Sequence, residues 1–206
     1  MKTNQITLLV LLLTLLSCNN EAKMESSKKC CSKENELPAS AKNTDESIFN
    51  ISSTWKTQNE DAFTFSNLSN KITVAAMVFT SCKSACPRIV ADIQRIESAL
   101  SPDELKQVSF LLISMDPEND TPKRCKEFAA EYQLNNNWAL ISASEDATME
   151  IANVLDVRIK KLSGGGFDHS NTIFVINQNG IIAHEQNGLA VEPAESIQAI
   201  KTLLKK

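Results

Sequence analysis

Nowhere do the 206 residues run to the roughly 20 consecutive apolar residues that a membrane-spanning helix needs. The apolar stretch Ile6 to Leu16, interrupted only by threonines, is too short for that purpose. No excess of base is present either: formal net charge is −4 with acids and bases interspersed, which sets nucleic-acid binding aside. No internal repeat is evident. Histidine is scarce, only His169 and His184, and no proline lies between Pro122 and Pro193. Residues 18–45 have few aliphatics and no aromatics, so they cannot bury enough apolar surface to offset their ordering entropy and read as a flexible tether. Residues 46–206 remain, about 160 residues, the size of a single domain.

What is present at the N-terminus sets the compartment. Lys2 precedes the Ile6–Leu16 run, which has signal-peptide length, and the small residue Ser17 follows it. Leu15-Leu16-Ser17-Cys18 resembles the lipobox of bacterial lipoproteins, which implies cleavage after residue 17 and acylation of Cys18. The expectation is an exported, membrane-anchored lipoprotein facing the periplasm or cell exterior. There, stray thiols tend to pair, so a close dithiol is a disulfide, a redox couple or a metal site. Cys30-Cys31 in the tether has no geometric argument and is read as incidental.

The folded part alternates strand and helix patterns. Ile48, Ile51 and Trp55, then Phe63 and Phe65, flank Asn59-Glu60-Asp61 and predict an N-terminal hairpin. Ile72–Phe79 is a buried strand, followed by a helix carrying Ile89, Val90, Ile93 and Ile96, with Pro87 in its first turn. Ser101-Pro102-Asp103-Glu104 opens a short helix, Val108–Met115 is a second buried strand, and Thr121-Pro122 caps a helix to about Leu134. Trp138–Ile141 is a strand, and Ser144 opens a helix through Leu155. Asn171–Asn177 and Ile181–Glu185 form a hairpin about Asn179-Gly180, and Pro193 starts the last helix. This is an α/β layout, a central mixed sheet flanked by helices, in the order of a thioredoxin-like fold with an inserted helix.

Cys82 and Cys86 stand where the first long strand hands over to its helix, the place where open α/β sheets put their sites. A helix start favours thiolate, the form that attacks disulfides and binds soft metals, so redox and metal chemistry are equally served. Three features part them. The cysteines have three residues between them, where thioredoxin-type pairs have two. Where thioredoxins carry a cis-proline this chain has Asp168-His169-Ser170. Gly164-Gly165-Gly166 before it allows a bend that brings an imidazole toward the dithiol. Two thiolates and one imidazole suit Cu(I), whereas structural zinc wants a fourth ligand. A peroxidase would want its cysteine in a Pro-x3-Thr-x2-Cys setting, which Met77 to Cys82 does not supply.

Three segments carry a resemblance. They are Phe79-Thr80-Ser81-Cys82-Lys83-Ser84-Ala85-Cys86-Pro87, then Ser114-Met115-Asp116-Pro117-Glu118-Asn119-Asp120-Thr121-Pro122, then Asp168-His169-Ser170 with the strand after it. In this order and spacing they resemble the Sco/SenC copper chaperones over about residues 47–205. Lys83 stands where that family usually has proline, and Asn177-Gln178 where it has an aspartate-proline pair. The resemblance implies a thioredoxin-like domain binding Cu(I) or Cu(II) through Cys82, Cys86 and His169, with Asp116 beside the site orienting a loop. It also implies a partner, a subunit of a respiratory copper enzyme such as cytochrome c oxidase or another copper-site apoprotein, which is given copper or has its cysteines reduced, with a thiol reductant behind it. An extracytoplasmic thiol-disulfide oxidoreductase with Cys82 and Cys86 as its redox dithiol is the alternative. His184 is expected on a solvated strand face and Cys125 as a packed thiol.

Overall fold

The computed structural model describes residues 47–163 and 165–205. The signal segment, Cys18, the tether and Cys30-Cys31 lie outside the described residues. The chain enters through a 3-10 turn, Ile48–Asn50, whose N-cap Ser47 accepts a hydrogen bond from the Phe49 N–H at 3.2 Å. The expected hairpin follows as β1 (Trp55–Thr57) and β2 (Ala62–Phe63), paired antiparallel with Trp55 opposite Phe63. Phe65, just beyond it, meets Trp55 and Phe63 edge-on at 5.7 and 5.9 Å and closes this corner of the core.

The body of the fold alternates β3 (Ile72–Val78), α1 (Ala85–Ser98), α2 (Pro102–Leu105), β4 (Val108–Ser114), α3 (Pro122–Glu131), β5 (Trp138–Ser142) and α4 (Glu145–Val154). After α4 come β6 (Ile159–Lys161), β7 (Phe167–His169), β8 (Thr172–Ile176), β9 (Ile182–Asn187) and α5 (Ala194–Leu204). Seven strands form one sheet in the order β2-β1-β5-β4-β3-β8-β9. Strands β3, β4 and β5 run parallel, and β1 and β8 pair antiparallel on either side of them. Every residue of β3 and of β8 is buried, because helices cover the sheet; that is why these segments read as unbroken apolar runs.

Helix ends follow local chemistry. Ser101 and Glu104 form the expected capping box, and Thr121 and Ser144 accept from the N–H groups of Arg124 and Ala147. Helix α3 stops at Glu131, short of the expected Leu134. Gln133 turns left-handed there (φ 54°), and the N–H groups of Gln133 and Leu134 bond back to Ala130 and Ala129. That is a Schellman ending on a non-glycine residue. Asp156 (φ 50°) ends α4 in the same way.

One element has no counterpart in the sequence reading. Strands β6 and β7 form a separate two-stranded sheet with Ile159 opposite His169, so the histidine stands on a strand and not on a free loop. At the opposite end of β8, the Asn179-Gly180 turn is locked against the entry of the chain, since the Ile48 N–H donates to the Gly180 carbonyl at 2.9 Å. Gly180 has φ +78°, and a Cβ there would collide with Ser47 Oγ and lie 2.9 Å from Phe49 Cγ. Gly180→Ala is therefore expected to destabilise the fold by about 1–3 kcal/mol, read as a lower urea midpoint with unchanged slope.

Candidate metal and redox site

The dithiol is built by the exit from β3. The chain turns at Phe79, where the Cys82 N–H donates to the Phe79 carbonyl at 3.1 Å, and α1 then begins with Cys86 in its first turn. Ser84 occupies the N-cap position without a side-chain capping bond. The Cys82 sulfur does that work in part, accepting from the Cys86 N–H at 3.3 Å. The Phe79 N–H in turn points at Cys86 Sγ at 3.5 Å. Both thiols are free and buried, Cys86 completely and Cys82 with 8% exposure.

This environment drives the two thiols apart. For Cys82, partial burial works to raise the pKa, but donors from the backbone of Cys86, Ser84 and Ala85 and from the Cys86 thiol outweigh it. The balance holds Cys82 below the ordinary thiol value. For Cys86, burial dominates, and the neighbouring Cys82 and the Asp120 carboxylate add to it, so its pKa is raised well above the ordinary range. Cys82 is therefore the more readily ionised thiol of the pair, and Cys86 the sheltered one.

Beneath the cysteine loop lies a buried acid. Asp120, 1% exposed, accepts from the Thr80 N–H at 3.2 Å, from Thr80 Oγ1 at 2.5 Å and from Ser114 Oγ at 2.6 Å. It thereby joins the end of β3, the end of β4 and the start of α3. Burial raises its pKa, against the lowering effect of the Ser114 and Thr80 donors. Arg124, from the first turn of α3, donates to the Thr80 carbonyl at 3.1 Å. Asp116 is buried too, but both of its carboxylate oxygens take the Asn119 side-chain amide, at 3.0 and 2.9 Å. Asp116 thus orders its own turn, and the carboxylate whose bonds reach the cysteine loop is Asp120. In the sequence Asp120 is marked only as part of a turn, because its partners Thr80 and Ser114 stand 40 and 6 positions away. Cys125 is fully buried, its thiol directed at the Asp120 carbonyl at 3.5 Å, and burial with the Asp120 charge pushes its pKa up to about 12. It is a packed thiol.

His169 sits at the end of β7, half-buried. Its ring stands edge-on to Phe79, 5.9 Å between centroids, while Phe167 from the same strand meets Phe79 at 5.2 Å. Nδ1 lies 3.0 Å from the Ser170 carbonyl, so a proton on Nδ1 is held there and leaves the Nε2 lone pair bare. His169 borders a groove of about 610 Å³ with Arg158, Lys160 and Asp168. The structure thus brings Cys82 and Cys86 together and sets His169 against the ring of Phe79, the residue whose N–H points at Cys86 Sγ. Among the described residues, no three His, Cys, Asp or Glu side chains stand close enough together to hold a metal ion. His184, on β9, is half-buried beside a different hollow, lined by Glu185, Gln186 and Glu192.

A parallel β3-β4-β5 core with a dithiol at the β3–α1 junction defines a thioredoxin-like protein. More narrowly, the chain belongs to the SCO1/SenC family, whose model matches residues 42–205. It is 27% identical over 146 residues to the SCO1 protein homolog of Bacillus subtilis (strain 168), covering 68% of this chain and 75% of that one. BsSco, described as a member of the Sco family of cytochrome c oxidase assembly proteins with a disulfide switch, superposes with TM-score 0.64. It is 26% identical, over 74% of this chain and 91% of its own. Bradyrhizobium japonicum ScoI with copper bound superposes with TM-score 0.64 over 73% of this chain and 96% of that one; at 23% identity this is a likeness of fold.

Two outcomes follow from this geometry. Across a pH series, iodoacetamide mapped by mass spectrometry should label Cys82 at a pH below that of an ordinary cysteine, with Cys86 and Cys125 lagging far behind; equal labelling of Cys82 and Cys86 would refute the asymmetry. Asp120→Ala, which strands the Thr80 N–H and the Ser114 hydroxyl, should lower stability by on the order of 3 kcal/mol in denaturant unfolding, while Asp116→Ala costs less.

Proposed function

We propose that the chain is a copper-binding chaperone that takes one copper ion between Cys82, Cys86 and His169 and serves the assembly of a copper centre in another protein, a respiratory oxidase being the favoured recipient. The observation that carries this reading is the Cys82–Cys86 pair at a helix start, with the Cys86 N–H donating to Cys82 Sγ at 3.3 Å. A histidine with a bare Nε2 on the neighbouring β6–β7 arm completes the donor set. Two thiolates and one imidazole match the preference of Cu(I) for soft ligands. Bringing the imidazole to the sulfurs requires movement of β7 past Phe79, and Gly165 and Gly166, both at positive φ in the turn between β6 and β7, support such movement. Copper in the ScoI structure and oxidase assembly in the description of BsSco support the cargo and the recipient class. The apolar run before Ser17-Cys18 supports export and a lipid anchor at Cys18, facing the periplasm or cell exterior.

The thiol asymmetry favours a second use of the same pair, reduction of a partner disulfide. The Cys82 thiolate attacks one partner sulfur and releases the other as thiolate. Cys86, on losing its proton, then attacks Cys82 Sγ and frees the second partner thiol. Two electrons leave this chain, which ends as a Cys82–Cys86 disulfide for an external thiol reductant to reopen.

In anaerobic competition with a chromophoric Cu(I) chelator, the reduced chain should bind one copper tightly, and Cys82→Ser and Cys86→Ser should each abolish that binding. His169→Ala should weaken it by at least about tenfold, the scale on which even supporting groups of metal sites count. Wild-type affinity in His169→Ala would overturn the three-ligand site and leave disulfide reduction as the function of the pair.

A further inference from the structure

Phe167, which packs on Phe79, also lines a small cavity of about 150 Å³ that neither the dithiol nor the histidine borders. Its wall includes two of the five methionines of the chain, Met115 and Met149. Met115 follows β4 directly and is fixed by its own N–H, which donates to the Val78 carbonyl at 2.8 Å; its side chain is buried. Met149 comes from α4 and is 41% exposed, so one thioether faces the interior and the other the entrance. Two further observations point to an occupant. The Thr148 hydroxyl, on a residue 98% buried, lines the same cavity with no hydrogen-bond partner, although buried polar groups normally have one. Glu145 and Asp116 also border the cavity, and so do Lys161 and Glu118, whose ion pair at 2.6 Å occupies the Lys161 charge and links β6 to the turn after β4.

We propose that this cavity is a second, weaker site for a soft monovalent cation, Cu(I) or Ag(I), held by the thioether sulfurs of Met115 and Met149 with the carboxylate of Glu145. Thioethers are uncharged and soft, so they select Cu(I) over the hard cations that a purely carboxylate site would take. The Thr148 hydroxyl has a partner once a carboxylate or a cation-bound water enters. Because Phe167 lines this cavity and also packs on Phe79, whose N–H points at Cys86 Sγ, contacts of two aromatic residues connect the site to the dithiol, the position of a transfer or loading station. None of Cys82, Cys86 or His169 takes part, so the inference stands or falls separately from the three-ligand site.

The test uses the full chain with Cys82→Ser and Cys86→Ser and 13C-methyl-labelled methionine. Silver(I) is added past the equivalents taken by the remaining thiols. The methyl resonances of Met115 and Met149 should shift together and saturate with one further equivalent, while those of Met24 and Met77 stay in place. Met149→Leu, a change at a partly exposed site, should abolish the Met115 shift as well. Three results would each overturn the proposal: a Met115 methyl that does not move, a Met115 shift that survives Met149→Leu, or parallel shifts at Met24, which would mark unspecific thioether binding.

Discussion

A single buried carboxylate fastens the working end of this fold. Asp120 receives the Thr80 N–H and hydroxyl and the Ser114 hydroxyl, so the ends of two adjacent parallel strands and the start of α3 share one acceptor. Strand ends in a parallel sheet have backbone groups with nowhere to go, and an acid that takes several of them also fixes where the next loop starts. That loop holds Cys82, two residues beyond Thr80. Burial raises the pKa of Cys86 and Cys125, and the same carboxylate adds to that effect, while N–H donors at the start of α1 favour charge on Cys82. One buried group therefore sets the position of the dithiol and part of its electrical asymmetry.

The site is divided between a stiff half and a separately folded half. Cys82 and Cys86 rest on the main sheet through Thr80, Asp120 and α1; His169 belongs to the two-stranded β6–β7 arm. Phe79 is the contact between them. Its backbone N–H reaches Cys86 Sγ, and its ring meets both Phe167 and His169. Aromatic pairs of this kind contribute about 0.5–1.5 kcal/mol beyond area burial. A swing of the imidazole to the sulfurs gives up contacts of that size, which a metal–nitrogen bond can offset and a van der Waals contact cannot. The contacts of Phe167 and His169 with Phe79 thus hold the arm where it is.

Much of this was legible in the sequence. The unbroken apolar runs at 72–79 and 108–115 marked strands covered on both faces, Asn179-Gly180 marked its turn, and Ser101, Thr121 and Ser144 marked helix starts, because each signal is local chemistry. Helix ends were harder to read: with only five glycines in the chain, α3 and α4 close on Gln133 and Asp156, residues that carry no stop signal of their own. The β6–β7 arm was missed for a related reason. It is short, is not part of the main sheet and has only half-buried and exposed residues, so it lacks the apolar run of a core strand. The dithiol was visible as a motif at a strand–helix junction. The importance of Asp120 was not, since it depends on three-dimensional contacts with residues 40 and 6 positions away.

The unequal thiols also decide the order in which a soft cation would be taken up. Cys82, held by N–H donors at the start of α1, offers a thiolate at the surface of the site with little help. Cys86 lies deeper, its proton retained by burial and by nearby negative charge, so in the absence of an ion it is a poor ligand. A cation already seated on Cys82 reverses that balance. Its positive charge, now within bonding reach, cancels the field of Asp120 and of the Cys82 thiolate and expels the second proton, as metals do with coordinating thiols. Were a soft cation taken between Cys82, Cys86 and His169 as proposed, capture at Cys82 would come first, proton loss from Cys86 second and recruitment of His169 from its arm last, because only the charge of the seated ion offsets the burial that keeps Cys86 protonated.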